Sequence, residues 1–151
     1  MRVERATVDD GEEILSLQKL AYQSEAEIYD DFTIPPLTQT LEEINKDFET
    51  QIFLKAVTGG KIIGSVRAFM KEGTCYVGRL IVHPDFQNQG IGTQLMGRIE
   101  EVFKGAQRFE IFTGHKSERN LYLYKKLGYK RFKTVTASEK LTIVYLEKYH
   151  G

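Results

Sequence analysis

Gln87-Asn88-Gln89-Gly90-Ile91-Gly92 stands between two runs of different periodicity. Before it, residues 74–82 read as a strand ending in the apolar triplet Leu80-Ile81-Val82 and stopped by His83-Pro84. After it, Ile91, Leu95, Ile99 and Val102 recur at helical spacing, which predicts an amphipathic helix from about Gln89. A glycine-containing loop between a strand and a helix lets backbone approach a ligand, and the amides of the helix's first turn have no acceptor within the helix. Such a nest receives phosphate oxygens. Two common phosphate loops are excluded, because Leu95 stands where a dinucleotide fingerprint needs its third glycine and no Gly-Lys-Ser/Thr string follows. A tight turn whose glycines serve geometry alone is the competing reading.

Outward from this loop, residues 51–58, Gly59-Gly60 and residues 61–71 read as a β-hairpin. Its second arm sets Ile62, Val66, Ala68 and Met70 against Lys61, Ser65, Arg67 and Lys71, which predicts one buried and one wetter face. Residues 1–7 can form a first strand, after which Asp9 or Asp10 caps a helix through Ile14, Leu17, Leu20 and Ala21. Residues 22–39 are polar and contain Pro35-Pro36, so they read as a long loop with room for a short helical piece. Thr40-x-x-Glu43 is a capping box ahead of a helix to about Phe48. Downstream, residues 108–113 read as a strand, 118–127 as a helix ended by Gly128, and 129–135 with 141–148 as two last strands.

The 151 residues suffice for one domain spanning 1–151, with no linker or low-complexity segment. One cysteine and three scattered histidines supply neither a disulfide nor a metal-ligand spacing, so no metal is expected and a reducing, cytoplasmic compartment is the natural reading. Twenty-one basic residues balance twenty-one acidic ones, which argues against nucleic acid or a membrane as partner. No apolar stretch is long enough for a signal peptide or a membrane span. The sequence is compatible with a homodimer without specifying one.

Leu80-x-Val82-x-Pro84, then Gln87-x-x-Gly90-x-Gly92, then a helix, a strand and Leu123-Tyr124-Lys125-Lys126-Leu127-Gly128-Tyr129 resemble the GCN5-related N-acetyltransferase family. The resemblance implies an α/β (α+β) fold: a mixed, largely antiparallel central sheet of about seven strands flanked by about four helices. It also implies acetyl-CoA as acetyl donor and a primary amine as acceptor, joined by direct attack in a ternary complex. Gln87, Asn88, Gln89, Gly90, Ile91, Gly92 and Thr93 would cradle the cofactor's pyrophosphate. Leu80, Ile81 and Val82 would pair with the pantetheine arm and polarise the thioester carbonyl, on which charge develops in the transition state.

By the same resemblance Tyr124, four residues before Gly128, would protonate the leaving thiolate; packing is the plainer reading of an aromatic residue there. Ser117 falls where many relatives place an asparagine on the pantetheine arm, although it also suits a helix N-cap, and Asn120 is a cofactor-binding candidate one turn later. Asn88 and Gln89 replace the arginines common in such loops, leaving phosphate charge to backbone dipoles and to Lys116, Lys125 or Lys126. No general base is assignable. Phe112 occupies the position of a glutamate used in one branch, and Glu110 shares its strand face by parity. Cys75 and His83 are not expected to form a nucleophilic dyad, being roughly 26 Å apart along an extended strand.

Residues 1–75 hold 8 basic and 14 acidic side chains, and residues 76–151 hold 13 and 7. A polyanionic cofactor would meet the basic half, while Glu25, Glu27, Asp30, Asp31, Glu42 and Glu43 would favour a cationic acceptor, a small amine or a peptide amine. A solvated acidic surface is the competing reading. The alternative to an enzyme is a CoA-binding regulatory module without catalysis, suggested by the unassigned base and the atypical Ser117.

Overall fold

In the computed structural model, which describes residues 1–150, strands and helices follow the predicted order. They are β1 (Arg2–Arg5), α1 (Gly11–Ala21), α2 (Gln23–Tyr29), α3 (Pro35–Thr38), α4 (Leu41–Thr50), β2 (Ile52–Thr58), β3 (Lys61–Lys71), β4 (Thr74–Val82), α5 (Ile91–Val102), β5 (Arg108–Gly114), α6 (Glu118–Lys126), β6 (Lys130–Thr136) and β7 (Thr142–Tyr149). The strands form one sheet in the order β1-β2-β3-β4-β5-β7-β6. Every pairing is antiparallel except that of β4 with β5. The sheet is thus the mixed, largely antiparallel one expected. Helices α1, α4, α5 and α6 are the four expected, joined by two short ones. No helix among the described residues is long and apolar enough to cross a membrane.

Apolar burial covers the sheet on both faces. On one side Leu95, Met96 and Ile99 of α5 are fully buried against Ile63, Val66, Ala68 and Val77, in a cluster that also holds Tyr124 and Tyr129. Each such side chain contributes roughly 1.5–3 kcal/mol, so this face fixes α5 and with it the loop before it. On the other side Ile14 and Leu17 of α1 and Ile44 of α4 pack on Phe53, Ile62 and Ile81. The predicted capping box starts α4: Glu43 N donates to Thr40 Oγ1 at 3.1 Å and Thr40 N to Glu43 Oε1 at 2.9 Å.

Three expectations are corrected. The wetter face predicted for β3 is closed, since Ser65 and Arg67 are buried beneath α1 and α4. Strict alternation also fails there: the register shifts at Ala56/Val57, placing Ile62 in the second cluster but Val66 and Ala68 in the first. Asp10 does not cap α1 by its side chain; it accepts from Thr7 N at 2.9 Å and pairs with Lys55 at 3.0 Å. Residues 22–39 are not a long loop, for α2 and α3 occupy most of them. Their sequence is too polar to read as helix, and distant hydrogen bonds hold them in place.

Candidate active site

The two parallel neighbours part in mid-sheet. β4 and β5 are paired only from Thr74, Cys75 and Tyr76 to Arg108, Phe109 and Glu110. Beyond that the register of β4 on β3 shifts at Gly78, and Arg79 takes φ 45°. This bulge reverses the strand's parity. Cys75 and Val77 face α5 before it, Leu80 and Val82 after it, and Ile81 turns to the α1 side. The edge of β4 carrying Leu80, Ile81 and Val82 therefore faces β5 with its sheet hydrogen bonds unmade, open to an extended ligand.

A cleft of about 960 Å³ runs from this edge to the start of α5. There Gly90 caps the helix at φ 79°, a left-handed conformation that glycine adopts without strain. The first helical bond is Gln94 N to Gly90 O at 3.0 Å, which leaves the amides of Ile91, Gly92 and Thr93 free to point into the cleft. Of the residues singled out in the sequence, Leu80, Ile81, Val82, Gln87, Asn88, Gly90, Ile91, Gly92, Thr93, Ser117, Asn120 and Lys126 line it. Gln89 and Tyr124 do not: Gln89 is exposed outside it and Tyr124 is buried beneath. Lys116 joins the lining and Lys125 points elsewhere, while Arg119, which the sequence reading missed, lines the cleft and donates to Gln87. Tyr122, 70% exposed, lies on the outer wall.

The inner end is built by α2 and α6. Ser117 precedes α6, but its hydroxyl makes no cap; it donates to Glu25 Oε2 at 2.6 Å and lies 2.8 Å from the Tyr29 hydroxyl. Tyr29 also accepts from Lys116 N at 2.9 Å. Asn120 donates to Thr113 at 3.2 Å. Beneath them the Tyr124 phenol is held well above its ordinary pKa by burial and by the neighbouring Tyr22 and Glu25, and no protein hydrogen bond offsets this. Tyr22 is pushed up to about 12, chiefly by burial. The Glu25 carboxylate, the phenols of Tyr22, Tyr29 and Tyr124, and an unpaired strand edge thus gather at or beneath one end of a cleft whose other end presents free helix amides.

A profile of the Acetyltransferase (GNAT) family matches residues 12–129. The chain belongs to this family. It is 29% identical over 137 residues to UPF0157 protein YqkA of Bacillus subtilis, covering 91% of this chain and 39% of that protein. The chain therefore spans well under half of that relative's length. Acetyltransferase ECA0875 of Pectobacterium atrosepticum is 29% identical over 97 residues, covering 62% of this chain and 67% of that protein. Among solved structures, PaiA N-acetyltransferase from Thermoplasma acidophilum in complex with coenzyme A superposes with a TM-score of 0.79 at 16% identity, over 99% of both chains. That likeness is one of fold.

Within this GNAT domain several of the carboxylates singled out in the sequence lie away from the cleft, and Cys75 is no nucleophile, as expected. Glu110 pairs with Arg108 at 2.9 Å, where β4 and β5 are still joined, so it is neither free nor at the split. Cys75 is fully buried and its thiol is pushed up to about 12 by burial, which makes it an inert core residue. Of the acidic residues read as the acceptor wall, only Glu25 and Glu27 line the cleft. Asp30 pairs with Lys140 at 3.0 Å, Asp31 holds Thr33, Glu42 faces Lys46 and Glu43 serves the capping box. Glu25 is the one of these acids that accepts from Ser117 at the inner end of the cleft, and the sequence marked it only as one acid among six.

A second polar assembly lies across the sheet from α5. Four side chains close a ring: Arg67 donates to Asp47 at 2.9 Å and to Gln18 at 2.6 Å, Gln18 donates to Gln39 at 3.0 Å, and Gln39 donates to Asp47 at 2.7 Å. Gln18, Gln39 and Arg67 are buried, and Arg67 stacks its guanidinium 4.4 Å from the Phe53 ring centroid. Burial and the nearby Arg79 guanidinium push Arg67 down to about 10.

Proposed function

We propose that this domain transfers an acetyl group from acetyl-CoA to a primary amine by direct attack in a ternary complex. The parting of β4 from β5 carries the reading, since it opens one cleft onto both the unpaired residues 80–82 and the free amides of α5. The residues present fit that donor. A cleft of about 960 Å³ holds a large ligand, residues 87–93 suit a pyrophosphate, and Lys116, Arg119 and Lys126 supply cations along its wall.

Bound acetyl-CoA supplies the activated acetyl thioester. The edge of Leu80, Ile81 and Val82 aligns it, and a backbone N–H there donates to the carbonyl oxygen as charge grows. Glu25 takes the proton of the acceptor's ammonium, directly or through water. Tyr124, kept protonated by burial, gives its hydroxyl proton to the departing sulfur and is reprotonated, through solvent, by the second proton that the nitrogen sheds as the amide forms. Glu25 and Glu27 favour an acceptor that arrives as a cation, such as a small amine or a peptide amine.

Initial rates of thiol release, with acetyl-CoA and amine varied together, test this reading. Intersecting double-reciprocal lines are expected. Parallel lines would instead indicate an acetyl-enzyme, for which the inert Cys75 offers no nucleophile. Gly90→Ala gives a second test. An alanine at φ 79° costs about 1–2 kcal/mol, which is roughly 5–30-fold in the population with the loop formed. The KM for acetyl-CoA is expected to rise by about that factor in steady-state assays, with a smaller change in kcat.

A further inference from the structure

Among the described residues, Arg79 at the split forms no ion pair with a carboxylate. Its guanidinium offers five N–H donors, and its hydrogen bond within the protein is to the amide oxygen of Gln39, which also accepts from Gln18. The ring's carboxylate, Asp47, is already shared by Arg67 and Gln39. Glu43 lies within electrostatic reach, but it is exposed and holds Thr40 N in the capping box. Arg79 itself is half-buried, so solvent does not fully replace a partner.

The backbone puts this cation beside the cleft, next to the lining residue Leu80. Arg79 directly precedes Leu80 on the unpaired edge, at a positive φ that costs a non-glycine residue stability. That bulge turns its side chain to the α1 face, away from the α5 amides that suit phosphate. Glu25 and Tyr22 line the same cleft as Leu80, and the Tyr22 phenol lies within electrostatic reach of both Arg79 and Glu25. The two charges complement a molecule that carries an ammonium and a carboxylate together.

We propose that Arg79 receives a carboxylate borne by the acceptor, so that the amine acetylated belongs to the amino-acid class. This rests on the acetyl-transfer reading above and narrows its acceptor. A guanidinium takes a carboxylate through two parallel hydrogen bonds, which fixes orientation as well as affinity. The ring of Gln18, Gln39, Asp47 and Arg67 positions Arg79 through Gln39.

The test is thiol release from acetyl-CoA with each of the twenty common L-amino acids, set against its carboxamide and a panel of simple primary amines. At least one amino acid is expected to exceed its carboxamide in kcat/KM by about 10- to 100-fold, the usual worth of a charge-assisted hydrogen bond. Arg79→Asn, chosen because asparagine tolerates a positive φ, is expected to bring that ratio near one, and Arg79→Lys to keep part of it. Thermal melts of both variants establish that they fold. A ratio near one for every amino acid in the wild type, or a ratio that Arg79→Asn leaves intact, overturns the proposal, while acetylation of simple amines would leave the acetyl-transfer reading standing. Release of thiol with no acceptor would count against that reading and this one together.

Discussion

Tyr124→Phe is expected to lower kcat by about 10²-fold or more, the usual worth of a positioned general acid, while the KM for acetyl-CoA shifts little. In the proposed mechanism the hydroxyl acts on the sulfur only as the C–S bond breaks, so its loss falls on the transition state and not on binding. The phenylalanine ring refills the same space in the core beside Tyr129. Among the described residues the phenol has no hydrogen-bond partner, so none is orphaned and stability should change by less than about 1 kcal/mol. The pH profile adds an independent check. Burial disfavours the phenolate and raises the pKa, so the donor stays protonated throughout the working range. The rate should climb with pH as the acceptor's ammonium loses its proton, with no fall from Tyr124 below about pH 10, the unperturbed tyrosine value. A Tyr124→Phe enzyme whose single-turnover rate matches the wild type would remove this residue from the chemistry.

Gly114→Ala should damage folding and activity together. An added Cβ would collide with the Tyr29 hydroxyl oxygen and stand 2.5 Å from Cζ and 3.0 Å from Cε2. Tyr29 cannot swing aside freely, because it is 3% exposed and its hydroxyl joins Ser117 and Lys116 N. Overpacking of this kind costs about 1–3 kcal/mol, and breaking the two hydrogen bonds adds about 0.5–1.5 kcal/mol each. A loss of about 2–6 kcal/mol is a large fraction of a domain's stability, and urea denaturation would show it as a lower midpoint at constant slope. Turnover should fall further than stability alone requires, because α2 carries Glu25 and is tied to α6 through Tyr29 and Ser117. A double-mutant cycle with Tyr29→Ala is expected to show strong coupling, since removing the ring removes the clash.

The elements legible in the sequence share one property: a single stretch of chain contains the cause. Gly59-Gly60 between two strand-like runs, Thr40 with Glu43, and Ile91, Leu95 and Ile99 each state their structure through local geometry, and each is found in place. The phosphate-type loop belongs with them, since Gly90 and the free amides after it are properties of one strand-to-helix junction. What escaped the reading depends on partners far along the chain. Residues 22–39 become helical where Gln18 reaches Pro36 O and Tyr29 reaches Ser117. Ser117 looks like an N-cap because helix starts favour serine, yet Glu25, ninety-two positions away, takes its hydroxyl. Arg67 reads as a wet position by alternation until α1 and α4 cover it and Asp47 meets its charge.

By itself the sequence determined the order of strands and helices, the mixed sheet, and the cleft loop with Tyr124 downstream, because periodicity, capping and glycine placement act over a few residues. Only the tertiary structure decided which acids and bases meet. A bulge at Gly78 and Arg79 reverses which side chains face which layer, and no periodicity announces a reversal. The packing of α2 on α6 then brings Glu25, alone of six similar acids, to Ser117, and the bulge turns Arg79 toward Gln39. Local geometry is written residue by residue, whereas the pairing of charges across a sheet is settled by the closing of the whole chain.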